Sequence, residues 1–186
     1  MKDLTHIVIT GFMASGKTSV ARTLARVLDR TMIDLDEVIS RREERSIREI
    51  IEQDGEDHFR VLETSALGAL LHGEGQTVVA LGGGTWGLER NRKLIAHRRC
   101  TTVWLDTPFE LCWQRIEAAD PFERPLARTY AQALKLYQER RSDYQLAMIR
   151  IAADNLKNPK ELALAIADHL HKNGGLPDQA NVGLSL

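Results

Sequence analysis

The 186-residue chain has little that ties it to metal, membrane or nucleic acid. Its two cysteines, Cys100 and Cys112, match no zinc-site or redox spacing, which leaves them to core packing or plain exposure. The six histidines show no H-x-x-H or similar spacing and are assigned no catalytic or metal-binding work. No apolar run approaches the roughly 20 residues needed to span a bilayer. The charges balance to −1, which removes any global argument for a nucleic-acid or membrane partner. No internal repeat is visible. Met1-Lys2-Asp3 leads straight into an apolar stretch without a signal-peptide pattern, so a cytoplasmic enzyme is the expectation. The length suits one α/β domain with a full core.

What is present is strongest near the start. Gly11-Phe12-Met13-Ala14-Ser15-Gly16-Lys17-Thr18 fits G-x-x-x-x-G-K-[ST]. The β-branched run His6-Ile7-Val8-Ile9-Thr10 precedes it, and Ser19 to Leu28 follows with Val20, Leu24, Val27 and Leu28 at helical spacing. Strand, glycine loop and helix together make a polyphosphate cradle. Backbone N–H groups and the helix N-terminus face the anion, Lys17 reaches the β- and γ-phosphates, and the Thr18 hydroxyl suits Mg²⁺.

Apolar runs at 6–10, 31–35, 77–81, 101–105 and 147–152, separated by helical stretches, predict a parallel sheet covered on both faces. The long, mostly helical interval after the second strand predicts a substrate-binding lobe over about 36–72. Residues 118–127 contain Pro121 and Pro125 and predict a lid between helices. A final helix over about 159–172 presents Leu162, Ile166 and Leu170 on one face, with Asn173-Gly174-Gly175 to stop it. Residues 1–173 then form one domain, and 174–186 a flexible tail.

Several constellations fall where such sheets bind ligands. Asp34 and Asp36 close the second strand, and on a strand they share a face. Asp34 can serve the Mg²⁺ shell and Asp36 a substrate hydroxyl; alternatively they are solvated acids, or one caps the next helix. Arg60 and Glu63 share a helix face, as a carboxylate-binding arginine with its support or as an exposed ion pair. Gly82-Gly83-Gly84 implies close approach of backbone to a ligand, or a tight turn. Arg124 can swing onto a transferring phosphate from the lid. Arg115 can stack on a base or stay solvated. An arginine from the stretch Glu139-Arg140-Arg141 can complete a clamp with Arg60, or end a solvated helix. Trp86, Trp104 and Trp113 read as core or groove residues.

Taken in order, these motifs resemble shikimate kinases, a P-loop family of the nucleoside-monophosphate-kinase-like group. The resemblance runs from His6 to about Leu170 and rests on Gly11 to Thr18, Asp34-x-Asp36, Gly55-Glu56-x-x-Phe59-Arg60-x-x-Glu63, Gly82 to Gly84, and Arg124-Pro125-Leu126 followed by Glu139-Arg140 and Tyr144. It implies a five-stranded parallel sheet in the order 2-3-1-4-5, flanked by helices, with a lid and a helical substrate lobe. The implied reaction is phosphorylation of the shikimate 3-hydroxyl by MgATP, on the route to chorismate and the aromatic amino acids, by a cytoplasmic monomer. ATP would be held by Ala14, Ser15, Gly16, Lys17, Thr18, Ser19, Arg115 and Arg124, and Mg²⁺ by Thr18 and Asp34. Shikimate would be held by Asp36, Arg60, Gly82, Gly83, Gly84 and Arg140, with Lys17, Asp36 and Arg124 catalytic. The same architecture also suits a kinase for another hydroxylated carboxylate, such as gluconate or a modified shikimate. A nucleotide-binding regulatory module is a further reading, against which Asp36, Arg60 and Arg140 together weigh. Ala14 departs from the family by standing where another loop glycine is usual. Ala127 stands where a second leucine is frequent, the stretch before Arg124 is longer and more acidic, and Arg141 adjoins Arg140.

Overall fold

The run His6–Thr10 is buried at every position, as a β-branched segment in mid-sheet must be. In a computed structural model of the chain, which describes residues 6–73, 75–119, 129–154 and 158–172, it forms strand β1. Four more strands follow: β2 (Thr31–Asp34), β3 (Thr77–Ala80), β4 (Thr101–Asp106) and β5 (Ile149–Ala152). All neighbours are parallel, and the order β2-β3-β1-β4-β5 is the expected one. Ile7 lies opposite Val78 on one side and Thr101 on the other, so the centre of the sheet is fixed by three buried strands. Because the strands are parallel, all their carboxyl ends lie along one edge, where the loops can build a site.

Alternation in β1 divides the core. Ile7 and Ile9 face α1 (Lys17–Val27) and α8 (Pro159–Lys172), packing with Leu24, Leu162, Ile166 and Leu170. Val8 faces the opposite layer, with Leu35, Phe59, Leu67, Trp104 and Tyr144. That layer holds α2 (Leu35–Glu43), α3 (Ile47–Asp54) and α4 (Glu56–His72), which fill the mostly helical interval after β2, together with α5 (Glu89–His97), α6 (Phe109–Glu117) and α7 (Tyr130–Tyr144). Helix boundaries follow local chemistry. Ser46 and Glu49 form a reciprocal capping box on α3, and Thr129 caps α7 by accepting from Gln132 N.

Three details differ from the sequence reading. β2 stops at Asp34, because that side chain accepts from Asp36 N and opens α2. Asp36 is therefore in a helix, and the pair does not share a strand face. β5 begins at Ile149: the Met148 side chain is 72% exposed, and its N–H donates to Thr102 Oγ1 instead. Val27 lies on the solvent side of α1 at 43% exposure. Cys100 and Cys112 are both buried, which agrees with the core-packing reading. Residues 120–127 of the expected lid, and the tail with its stop at 173–175, lie outside the described residues.

Ile166 sits with no exposed surface between α1 and the sheet. Ile166→Ala should cost about 2–5 kcal/mol in urea denaturation. A loss below about 1 kcal/mol would show that the site collapses around the smaller side chain.

Candidate active site

The glycine loop joins β1 to α1 and is held from below. Phe12 is buried with its ring edge-on to Tyr137, centroids 5.2 Å apart, and within 6.4 Å of Phe109. The Thr107 hydroxyl donates to Ser15 O at 3.0 Å. Gly11 has no room for a side chain, because a Cβ there would lie 2.7 Å from Leu105 O. Ala14 occupies the left-handed region, at φ +57°, and its carbonyl accepts from Arg115 Nη1 at 3.1 Å. The Lys17 ammonium donates to Phe12 O at 2.7 Å across the loop. Beside the loop is a cleft of about 390 Å³, walled by Ala14 to Val20, Arg115, Ala153, Asp154, Pro159 and Leu162. The expected nucleotide residues within the described chain, Ala14, Ser15, Gly16, Lys17, Thr18, Ser19 and Arg115, all line it. Arg115 is exposed on α6 and borders the cleft, with its guanidinium on Ala14 O.

The capping alternative holds for Asp34, and its second oxygen faces the phosphate loop. One oxygen caps α2, and the other accepts from Thr18 Oγ1 at 2.7 Å. Hydroxyl and carboxylate oxygens in contact are the hard donors that Mg²⁺ takes while keeping much of its water. Among the described residues there is no cluster of three or more His, Cys, Asp or Glu side chains that could hold a metal alone.

Asp36, in the first turn of α2, has a buried Oδ1 with no hydrogen-bond partner. Burial raises its carboxyl to about 7, helped by the charges of Asp34 and Glu63 and partly opposed by Lys17 and Arg60. A carboxyl poised near neutrality can take a proton from an alcohol. The solvated-acid alternative for this pair is excluded.

Arg60 and Glu63 are likewise not an exposed pair. Glu63 has no exposed surface, and the Arg60 side chain is 11% exposed. Arg60 Nη1 donates to Glu63 Oε2 at 2.5 Å and Nη2 to Glu56 Oε1 at 2.6 Å. The other Glu63 oxygen accepts a short bond from the Thr85 hydroxyl. The glycines exist for these side chains. A Cβ at Gly82 would lie 2.8 Å from Asp36 Oδ1 and 3.0 Å from both Glu63 Oε1 and Thr85 Oγ1. At Gly84 it would strike the Arg60 guanidinium at 2.6 Å. At Gly83 it would come within 3.2 Å of Met13 N in the phosphate loop and 3.6 Å of Arg140 Nη1. Asp36, Arg60 and Arg140 thus meet around one backbone stretch, next to the phosphate loop. Arg141 points elsewhere, to Asp106 Oδ1 at 3.3 Å and the Tyr137 hydroxyl at 2.8 Å.

Three contributors received no site role in the sequence, although Tyr144 stands among the motif residues. Thr85 supports Glu63. Tyr144, buried, donates its hydroxyl to Gly83 O at 2.5 Å. Trp86 fixes the turn after the glycines by donating Nε1 to Asp143 O at 2.7 Å. A single hydroxyl or indole carries no spacing signal; only Tyr144 was legible, as part of a motif. Trp86 and Trp104 are core residues as read, and Trp113 packs on Tyr130. His58 is exposed and takes no part. Arg124 lies outside the described residues.

A glycine phosphate loop on a 2-3-1-4-5 parallel sheet, facing a carboxylate and two arginines across a helical lobe, defines a P-loop kinase for a small molecule. The family model described as shikimate kinase matches residues 13–171. Relatives named shikimate kinase include one from Aquifex aeolicus, 37% identical over 169 residues that cover 90% of this chain and 97% of the relative. Another, from Synechococcus sp., is 39% identical over 160 residues, covering 84% and 82%. A solved structure of shikimate kinase from Acinetobacter baumannii in complex with shikimate superposes with a TM-score of 0.83 at 33% identity, covering 91% and 94% of the two chains. The chain belongs to the shikimate kinase family. A gluconokinase structure from Sinorhizobium meliloti, at 20% identity and TM-score 0.63, shares the fold. No helix among the described residues is long and apolar enough to cross a membrane.

Asp36 sets a pH dependence. In the folded chain it keeps its proton between the ordinary 3.8 and about 7, whereas the unfolded chain has released it. The folded state then binds more protons, so stability falls as pH rises through this window. The melting temperature of Asp36→Asn should gain on that of the unaltered protein between about pH 4 and about pH 8. A constant difference across that range would show that Asp36 titrates as an ordinary surface acid.

Proposed function

We propose that the protein is a shikimate kinase, transferring the γ-phosphoryl group of ATP to the 3-hydroxyl of shikimate in the cytoplasm, as a monomer. The observation that carries this reading is the convergence at Gly82 to Gly84. There a buried carboxylate lacking a hydrogen-bond partner and two guanidinium groups face the end of the phosphate loop. A hydroxylated acid needs that combination: a proton acceptor for the alcohol and a cationic clamp for the carboxylate.

In this reading Arg60 and Arg140 hold the substrate carboxylate. Arg60 is kept in place by Glu56 and Glu63, so little of its freedom is lost on binding. The ring lies along the glycines with its 3-hydroxyl at Asp36. As the hydroxyl oxygen attacks the γ-phosphorus, Asp36 takes the hydroxyl proton, the bond to the β,γ-bridging oxygen breaks, and ADP leaves with the electron pair. Lys17 exchanges its bond to Phe12 O for phosphate oxygens and offsets their charge in the transition state. The phosphates rest on loop N–H groups at the α1 N-terminus, and Arg115 borders the base end of the cleft. Thr18 and Asp34 supply the oxygens for Mg²⁺, which neutralises phosphate charge when bound. Arg124 is assigned to the phosphates on the family resemblance.

A coupled ATPase assay with shikimate, quinate and gluconate tests the reading; turnover should be largest with shikimate, and a preference for gluconate would move the chain to another acceptor. Lys17→Ala should stay folded and lose several orders of magnitude in kcat. Near-normal turnover by that variant would remove the phosphate-loop assignment. Arg60→Lys keeps a positive charge near Glu63 but loses the paired donors. Its KM for shikimate should rise about ten- to a hundredfold with the KM for ATP unchanged. Equal change in both constants would assign Arg60 to the fold alone.

A further inference from the structure

We infer that Arg141 is a positioning residue for the acid substrate: its attachment to Asp106 steadies the turn of α7 that presents Arg140 to the glycine loop. The inference rests on the shikimate reading for the role of Arg140, and on geometry for the rest.

Consecutive residues of an α-helix point about 100° apart, so Arg140 and Arg141 cannot serve the same site. Arg140 Nη1 reaches the Gly83 side, beside Tyr144. Arg141 turns toward β4. Its guanidinium binds Asp106 Oδ1 at 3.3 Å and the Tyr137 hydroxyl at 2.8 Å, and lies over the Trp104 ring, 5.4 Å from the centroid. Asp106 is a firm anchor. It is 8% exposed and ends the fully buried strand β4. Its second oxygen is taken from the other side by Arg150 of β5, at 2.5 Å from Nη2 and 2.8 Å from Nε.

The same helix is also tied to the substrate loop. Tyr144 donates to Gly83 O, and Asp143 receives Trp86 Nε1 at its carbonyl and Arg92 Nη1 at its carboxylate, 3.3 Å away. Arg140 therefore lies between one attachment to the sheet and another to the glycine loop. Removing Arg141 takes away the tie to Asp106 but leaves the Tyr144 ring stacked on Trp104 and the Tyr137 hydroxyl on Thr107 O, so α7 stays docked and only the turn that carries Arg140 is released. Asp106 keeps Arg150, so its charge remains paired and the protein remains able to fold.

A double-mutant cycle tests this, with Arg140→Ala, Arg141→Ala and the double variant read for both KM values and kcat. Arg141→Ala should raise the KM for shikimate about fivefold and leave kcat and the KM for ATP within about twofold. In the Arg140→Ala background it should have no further effect, because it acts through Arg140. Additive losses would mean that Arg141 meets the substrate itself and would overturn the inference. Arg150→Ala removes the other half of the Asp106 pair without touching α7 and should leave the shikimate KM unchanged; a rise equal to that of Arg141→Ala would overturn it too. Arg141→Lys, which keeps a cation on Asp106, should recover most of the affinity. If Arg141→Ala does not fold, this variant enters the cycle in its place, with a smaller rise expected; no rise at all would overturn the inference. A crystal structure of the substituted protein needs no substrate: Arg140 should leave its place beside Gly83, and Arg140 unmoved would refute the positioning role. Failure of the unaltered protein to use shikimate would overturn the activity reading alone, and the crystal structure would still decide the role of Arg141.

Discussion

A carboxylate with no exposed surface organises the substrate half of the molecule. Glu63 sits on α4 beneath the glycine loop, and a buried unpaired charge there would cost several kcal/mol. Its two oxygens are satisfied by Arg60, three residues earlier on the same helix, and by Thr85 after the glycines. Those bonds fix three other things. Arg60 loses its freedom and becomes a rigid arm. The glycine loop is drawn so close that a Cβ at Gly82 or Gly84 would displace the Asp36 or Arg60 side chain. Asp36, raised to about 7 chiefly by its burial and then by Asp34, feels the same negative charge as a further push upward.

The nucleotide half is built on aromatic packing instead. Phe12, inside the glycine loop, lies edge-on to Tyr137 of α7, and both contact Phe109 at the start of α6. Rings are suited to this place, because they fill the space under a loop without competing for the N–H groups it must offer a phosphate. α7 thus touches both halves, Tyr137 under the loop and Tyr144 under the glycines. The parallel sheet makes this possible by ending β1, β3 and β4 side by side.

Most of the fold was legible because continuous β-branched runs and helical periodicity are local signals. The runs at residues 6–10 and 77–81 and the helix at 159–172 appear within a residue of where their pattern placed them. The motif residues Lys17, Asp36, Arg60 and Arg140 were legible as a set, and the structure gathers all but the undescribed Arg124 around one edge of the sheet. Burial was not legible. An Arg and a Glu three apart look the same on a solvated helix and in a core, so the sequence left Glu63 open between support for Arg60 and half of a surface pair. The end of β2 was misjudged for a related reason: Asp34 is compatible with a strand until its side chain is seen capping α2. Asp106 gave no signal, since its partners come from residues 35 and 44 positions further along the chain.

Ala14 turns the phosphate loop into a stiffer device than a glycine would. At φ +57° its methyl group holds the backbone in a region that an alanine seldom enters. The strain is balanced by the Arg115 guanidinium on its carbonyl and by the buried Phe12 anchor two residues before it. An alanine has fewer alternative conformations than a glycine, so a loop held in this shape has less disorder to give up when phosphate arrives. Part of the ordering cost of nucleotide capture is then met during folding, and the loop trades a little stability for pre-organisation.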